Sequence, residues 1–260
     1  MIDPRLAGRN VLVTGGAGNI GAAISRAFAA QGARVAVHHL AQDAPAPGNA
    51  EWAHATPDTG AARELADELG NGSFAISADL AEPEAARRLV AAVADRLGTI
   101  NVLVNNAAHC ETPDTLDTLT HGSLERHYRV NAIAPALLTA EVARLHHDGE
   151  PLSIVNITTD AARAFPGQTG YGTSKAALEG LTRSTALDLA ARGIRVNAVA
   201  PGPVQTGWMD EDVLARATAI VPMGRVGEPG DIADAVVYLA SHQARWVTGQ
   251  VVQVAGGHAL

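Results

Sequence analysis

At 260 residues, with 47% apolar and 3% aromatic side chains, the chain is long enough for one large α/β domain with an alanine-rich core, and no Pro- or Ser-rich linker divides it. A formal charge of −8, with no basic run longer than Arg87-Arg88, argues against a nucleic-acid surface, and no apolar stretch approaches the roughly 18 residues of a membrane span. The single cysteine, Cys110, excludes an internal disulfide, and the first residues do not have the layout of a signal peptide, so a cytoplasmic location is expected.

Asn10 to Thr14 (NVLVT) is a short apolar run ending at Gly15-Gly16-Ala17-Gly18-Asn19-Ile20-Gly21, after which Ala22, Ala23, Ile24, Ala27 and Phe28 recur with helical spacing up to Gly32. This is a strand, a glycine turn and a helix. Glycines let backbone approach a pyrophosphate closely, and the helix N-terminus offers unpaired N–H groups and a favourable dipole. Arg34 to Val37 reads as a second strand, followed by His38-His39-Leu40. In a dinucleotide fold an acid at this point binds the ribose of NAD and a base accommodates the phosphate of NADP; the chain has neither, which leaves the choice open with His39 at the position. Residues 41 to 59, with three prolines, read as a long surface loop, and His38, His39 and His54 as solvated loop histidines rather than metal ligands.

A helical pattern over Ala61 to Leu69 precedes a third strand at Ser73 to Ala78, which ends at Asp79. A helix with Pro83 in its first turn runs to about Leu97, and Asn101 to Asn105 is the fourth strand. Ser123 to about His146 reads as one long helix that contains Asn131, kinked or locally broken by Pro135. Leu152 to Ile157 is the fifth strand and ends in Thr158-Thr159; a helix spans 169 to 192. Arg195 to Ala200 is the sixth strand, broken by Pro201-Gly202-Pro203; residues 204 to 227 form a long connection with a short helix near 210 to 219, and a helix at Ile232 to Ala240 and a strand at Val251 to Val254 close the pattern.

The strands are continuous apolar runs that alternate with helices, which is the signature of a parallel sheet covered on both faces, a Rossmann-type doubly wound fold. Ligands bind such sheets beyond the carboxyl ends of the strands. The glycine turn, Asp79, Asn105, Thr158-Thr159 and Pro201-Gly202 all share that address. The chain's one lysine lies in Tyr171-Gly172-Thr173-Ser174-Lys175, where helical spacing puts Tyr171 and Lys175 on one face. An ammonium beside a phenol favours the phenolate, so Lys175 is expected to lower the Tyr171 pKa toward working pH and fit it for proton exchange.

With these motifs together, the chain resembles the short-chain dehydrogenase/reductase family over nearly its whole length, and its tail, from Pro222-Met223-Gly224-Arg225 to Gly256-Gly257, is similar to the branch of 3-oxoacyl-carrier-protein reductases. Thr14-Gly15 to Gly21 matches the family's T-G-x-x-x-G-x-G, with Asn19 in place of the middle glycine. Asn105-Asn106-Ala107-Ala108 matches N-N-A-G with Ala108 for glycine. The resemblance implies NADP or NAD as cofactor, held by Gly15, Gly18, Asn19, Ile20, Gly21 and His39, by Asp79 and Leu80 at the adenine, by Asn105 and Ala107, by Tyr171 and Lys175 at the nicotinamide ribose, and by Pro201, Gly202, Val204 and Thr206 at the carboxamide. It also implies Tyr171 as acid/base, Lys175 as its partner, Asn131 as the anchor of a water path and a threonine in the serine role. Counting from the strand selects Thr159 and counting back from Tyr171 selects Thr158; Thr159 is favoured.

The activity implied is hydride transfer between NAD(P)H and a small-molecule carbonyl or secondary alcohol, in a homotetramer, with residues 205 to 226 as a lid over the substrate. His109, Cys110, Phe165, Trp208 and Met209 are candidate pocket residues. An acyl-carrier protein as partner would need a basic patch, for which Arg126 and Arg129 are the candidates. Two other readings compete: a non-catalytic dinucleotide-binding protein of the same fold, motivated by Asn19, Ala108 and Thr159, and a nucleotide-sugar epimerase, which would need a larger C-terminal domain than this chain offers after Pro201-Gly202.

Overall fold

The apolar runs become the strands of a parallel sheet in the computed structural model, which describes residues 3–42, 45–53, 56–147, 149–164, 166–207 and 209–259. The first half comprises β1 (Asn10–Val13), α1 (Asn19–Ala30), β2 (Arg34–His39), β3 (Glu51–Trp52), α2 (Thr59–Leu69), β4 (Phe74–Ser77), α3 (Ala85–Leu97) and β5 (Val102–Asn105). The second half comprises β6 (Glu111–Thr112), α4 (His121–Tyr128), α5 (Ala134–Leu145), β7 (Leu152–Ile157), α6 (Thr169–Leu189), β8 (Ile194–Pro201), α7 (Glu211–Ile220), α8 (Pro229–Ala240) and β9 (Val251–Val254).

Seven strands form one sheet in the order β4-β2-β1-β5-β7-β8-β9, with every pairing parallel. The order reverses between β1 and β5, so the loops that leave these strands diverge and open a crevice at their C-terminal ends. Alternate residues of each strand face opposite helical layers. Val11, Val13, Val35 and Val37 pack with Ile24, Phe28 and Ile232 on one side. Leu12, Leu103, Ile154 and Val196 pack with Leu89, Val93 and Leu138 on the other. Both faces are buried, which is why the strands show no in-out alternation.

Two expectations need correction, and a third takes a definite form. Residues 41 to 59 are not wholly a loop, because Glu51–Trp52 pair antiparallel with Glu111–Thr112. A two-residue strand leaves no periodicity to read; its hydrogen bonds come from a partner distant in sequence. The local break expected from Pro135 in the helix over 123 to 146 takes the form of a π-turn at Arg129–Ile133. Pro135 has no N–H for the carbonyl of Asn131 four residues earlier, and the Ala134 N–H bonds instead to Arg129, five residues back. His38 and His39 are not solvated loop residues, since β4 pairs with them and extends β2, leaving them 2% and 4% exposed. His54, Phe165 and Trp208 lie outside the described residues. No helix among the described residues is long and apolar enough to cross a membrane.

Candidate active site

The glycine turn between β1 and α1 leaves no room for side chains at Gly15, Gly16 and Gly21. Gly15 has φ +60, and a Cβ there would lie 3.0 Å from the Cα of Ala107; a Cβ on Gly21 would lie 2.0 Å from the Gly15 carbonyl oxygen. Thr14 and Asn106 fasten the turn from below. The Thr14 hydroxyl accepts from the N–H of Asn106 (3.0 Å) and of Ala107 (3.1 Å), and the Asn106 amide donates to the carbonyls of Thr14 (2.9 Å) and Gly15 (3.0 Å). Gly18 caps α1, so the N–H groups of Asn19, Ile20 and Gly21 have no acceptor within the helix. A close-packed backbone cradle with free donors at a helix N-terminus fits a dinucleotide diphosphate. Asn19 needs no left-handed backbone, because it is the first residue of α1; its amide reaches across to the Thr206 carbonyl at 2.6 Å.

His38 completes the turn, and sequence reasoning missed it. Its Nδ1 accepts from the Gly15 N–H at 3.1 Å, which leaves Nε2 to donate to the Ala78 carbonyl at 3.0 Å. Burial pushes its pKa down to about 4, so the ring is neutral when it holds the end of β4 to the turn. His39 bonds to Thr59 through Nε2, and the positive charge of Arg63 on α2 acts on it. Asp79 is exposed at the end of β4, with one carboxylate oxygen accepting from Ala81 N–H, and Leu80 is buried beside it.

At the carboxyl end of β5 the Asn105 side chain turns into the sheet, donating to Asn156 at 2.8 Å, and its own oxygen is buried without a partner. Pro201 ends β8. A Cβ on Gly202 would meet Ala255 Cβ at 2.8 Å, and Val204 is 6% exposed and bridged to Gly227. Together these residues, the glycine turn and Ala107 line the carboxyl ends of the strands.

Tyr171 and Lys175 lie on the first turns of α6. Glycines on both sides of the tyrosine allow the helix to seat closely: a Cβ on Gly170 would lie 2.9 Å from His127 Nδ1, and one on Gly172 would lie 2.8 Å from the Ala161 carbonyl oxygen. Asp114, 3% exposed, caps this helix with both oxygens, accepting from Gly170 N–H at 2.8 Å and Tyr171 N–H at 2.9 Å. Its separation in sequence hid that role. The Thr159 side chain acts on the Tyr171 phenol and favours its ionised form, whereas the Thr158 hydroxyl is buried and donates to the Lys175 carbonyl at 3.3 Å. Of the two threonines, Thr159 faces the phenol. The Asn131 amide donates to the His109 carbonyl and to Ser174 Oγ, both at 2.9 Å, and its oxygen accepts from the His109 N–H at 2.7 Å.

The expected lowering of the Tyr171 pKa by Lys175 is not found in the chain itself. Lys175 is 1% exposed; its ammonium donates to the Ile157 carbonyl at 2.8 Å and stands 5.8 Å from the centre of the tyrosine ring. Burial brings the lysine pKa down to about 8. Burial raises that of Tyr171, Cys110 and Asp160 act in the same direction, and the Thr159 hydroxyl acts against them.

Beyond Tyr171 the rings of Trp52, His109 and His127 form a train, with centroid distances of 4.9 Å, 5.1 Å and, from His127 to Tyr171, 6.4 Å. β3 delivers Trp52 to this wall. Glu111 orients His109 at 3.0 Å and is gripped by Arg126 through two bonds of 2.8 Å; these bonds overcome burial and hold its carboxyl at about 2. Arg129 is paired with Glu125 at 2.6 Å, so the two arginines considered for a carrier-protein patch are both engaged. Cys110 and Met209 are each 8% exposed, and burial pushes the thiol up to about 12.

Residues 15–259 match the family model described as Enoyl-(Acyl carrier protein) reductase. The chain is similar to an uncharacterized oxidoreductase of Bacillus subtilis, YjdA, at 35% identity with 95% of each chain covered. It is likewise similar to the L-rhamnose 1-dehydrogenase (NAD(P)(+)) of Azotobacter vinelandii, at 34% identity with 96% of each covered. A solved structure titled as a blue fluorescent protein from a metagenomic library, in complex with NADPH, aligns with a TM-score of 0.85 at 35% identity, over 98% of this chain and 99% of that one. Sequence, topology and crevice agree: the chain belongs to the short-chain dehydrogenase/reductase family and is an NAD(P)-dependent oxidoreductase that interconverts a carbonyl and a secondary alcohol by hydride transfer.

Proposed function

We propose that Tyr171 exchanges the proton of this reaction, with Thr159 fixing the substrate oxygen, Lys175 holding the nicotinamide ribose and Asn131 anchoring a water path. The observation that carries the reading is the convergence of the Thr159 and Tyr171 side chains with the buried Lys175 ammonium at the carboxyl end of β7. Bound NAD(P)H supplies the hydride and leaves the protein one proton to manage. Burial keeps the Tyr171 phenol protonated at neutral pH, as a donor requires, and the Thr159 hydroxyl is placed to stabilise negative charge developing on the substrate oxygen. In the oxidation direction the same phenol must ionise first, and alkaline pH favours it.

Gly15, Gly18, Asn19, Ile20 and Gly21 would hold the diphosphate, Asp79 and Leu80 the adenine, Asn105 and Ala107 the floor, and Pro201, Gly202, Val204 and Thr206 the carboxamide. The end of β2 carries no carboxylate, and the charge of Arg63 reaches His39, which favours NADP over NAD. The whole chain acts as one Rossmann unit with a lid at 205–226; α7, inside that span, has no buried residue. Exposed Ile133, Leu137, Leu187, Tyr238 and Trp246 are suited to the contacts of a homotetramer in the cytoplasm.

The test is turnover followed at 340 nm with NADPH and NADH separately, against simple aldehydes and, on the strength of the Azotobacter relative, aldoses in the oxidation direction. Tyr171→Phe should lose nearly all turnover yet still bind cofactor by fluorescence titration. Wild-type rates in that variant would sink the assignment.

A further inference from the structure

The segment after β9 returns to the catalytic turn. Gly256 and Gly257, at φ +61 and +88, pack against the base of the lid, where a Cβ would meet Val221 at 2.7 Å and Pro222 at 3.0 Å. The chain then reaches the short turn Asp160–Ala162 that follows Thr159. Arg163 donates to the Ala259 carbonyl at 3.1 Å and, with the Gln253 amide oriented to accept, to Gln253 at 3.1 and 3.2 Å. His258, 12% exposed at its side chain, places Nδ1 2.5 Å from Oδ2 of Asp160, whose side chain is 7% exposed. A carboxylate only accepts, so Nδ1 carries the proton. The other oxygen, Oδ1, accepts a long bond of 3.4 Å from the hydroxyl of Thr159, whose side chain acts on the Tyr171 phenol.

We propose that His258 is a positioning residue for the reaction, anchoring the buried Asp160 carboxylate and through it the Thr159 hydroxyl that faces Tyr171. Thr159 has one O–H to give. A buried carboxylate with no other strong donor would take it at short range and withdraw it from the substrate oxygen. With His258 on Oδ2 the bond from Thr159 stays long, and the hydroxyl remains available. The pairing also matters to Tyr171, which is faced by Cys110, by Asp160, by the Lys175 ammonium at 5.8 Å and by the His127 ring at 6.4 Å. Of these the Asp160 carboxylate is the anion that His258 pairs, and an unpaired anion there opposes the phenolate.

The inference rests on the Tyr171 reading, and the experiment separates the two. With the cofactor and substrate that give turnover in the wild type, His258→Leu should lower kcat about tenfold or more, leave the cofactor KM unchanged, and move the alkaline limb of the oxidation profile up by about one pH unit. His258→Asn, which keeps a donor near Nδ1, should restore both. In an Asp160→Asn background the removal of His258 should cost nothing further. Wild-type kcat and profile in His258→Leu, or a second tenfold loss in the double variant, overturns the proposal. If His258→Leu does not fold, the double variant against Asp160→Asn alone decides in the same way. Tyr171→Phe measured alongside shows whether a failure belongs to His258 or to the assignment of the tyrosine.

Discussion

Lys175 carries an ammonium into the interior, and its removal should stabilise the protein while, on the role proposed for it, abolishing turnover. The side chain is 1% exposed and its hydrogen bond to the Ile157 carbonyl is to a neutral group. A pKa held at about 8 against an ordinary 10.5 means that charging the folded lysine costs about 3 kcal/mol more than charging it in the unfolded chain. Lys175→Met fills similar volume with no charge to desolvate. Losing the bond to Ile157 returns about 1 kcal/mol, so the net gain is about 2 kcal/mol, roughly 5 °C in Tm for a chain of this size.

The pH dependence identifies the cause. Below about 8 both folded and unfolded lysines are protonated, and the full penalty applies. Between 8 and 10.5 the folded lysine has released its proton while the unfolded one keeps it, so wild-type stability climbs relative to the variant; above 10.5 the variant has no advantage. The assay is denaturant unfolding of both proteins without cofactor at pH 7 and pH 10, with turnover measured at pH 7. A variant less stable than wild type at pH 7, or one whose advantage is the same at both pH values, refutes the reasoning.

Three further outcomes are expected. His38, with a folded pKa of about 4 against 6.5, is neutral in the folded chain while the unfolded chain takes up its proton, so stability present above 6.5 falls by about 3 kcal/mol as the pH drops to 4. His38→Gln keeps an acceptor and a donor without titrating; denaturation midpoints that fall equally in both proteins between pH 7 and pH 5 would count against the clasp. On α6, Gly172→Ala should lower kcat at least about tenfold with the fold retained, because its Cβ must push against the Ala161 carbonyl beside Thr159 and Tyr171. Gly180→Ala on the same helix meets nothing within 4 Å and should raise Tm by the equivalent of about 1 kcal/mol with turnover unchanged.

Much of the cofactor side of the crevice was legible because local physics dictates it. Gly15 and Gly21 stand where any Cβ collides, the strands are apolar on both faces, and the Tyr171–Lys175 spacing is a helical one. His38 was misread for an equally physical reason: a polar residue at a strand end looks like the start of a loop until β4 is known to pair with it. The direction of the Tyr171 shift was also beyond the sequence, since spacing puts Lys175 on the right face but only the Ile157 carbonyl decides where its ammonium points.

The substrate side was the less legible half, and its parts share one property. Trp52 reaches the site through a strand whose partner is Glu111–Thr112, Asp114 caps a helix that begins at Thr169, and His258 meets Asp160 at the far end of the chain. Each is a contact between residues remote in sequence, with no period and no neighbour to announce it. A motif can specify how a dinucleotide is held, because that demand falls on a few consecutive backbone positions. On the proposed reading the substrate wall is assembled from β3, the 109–114 segment, α4 and the tail, so changes in any one of them should alter the substrate without touching the glycine turn or the Tyr–Lys pair. Substrate choice in this chain is therefore better sought by varying Trp52 and His109 than in the motifs by which its family is known.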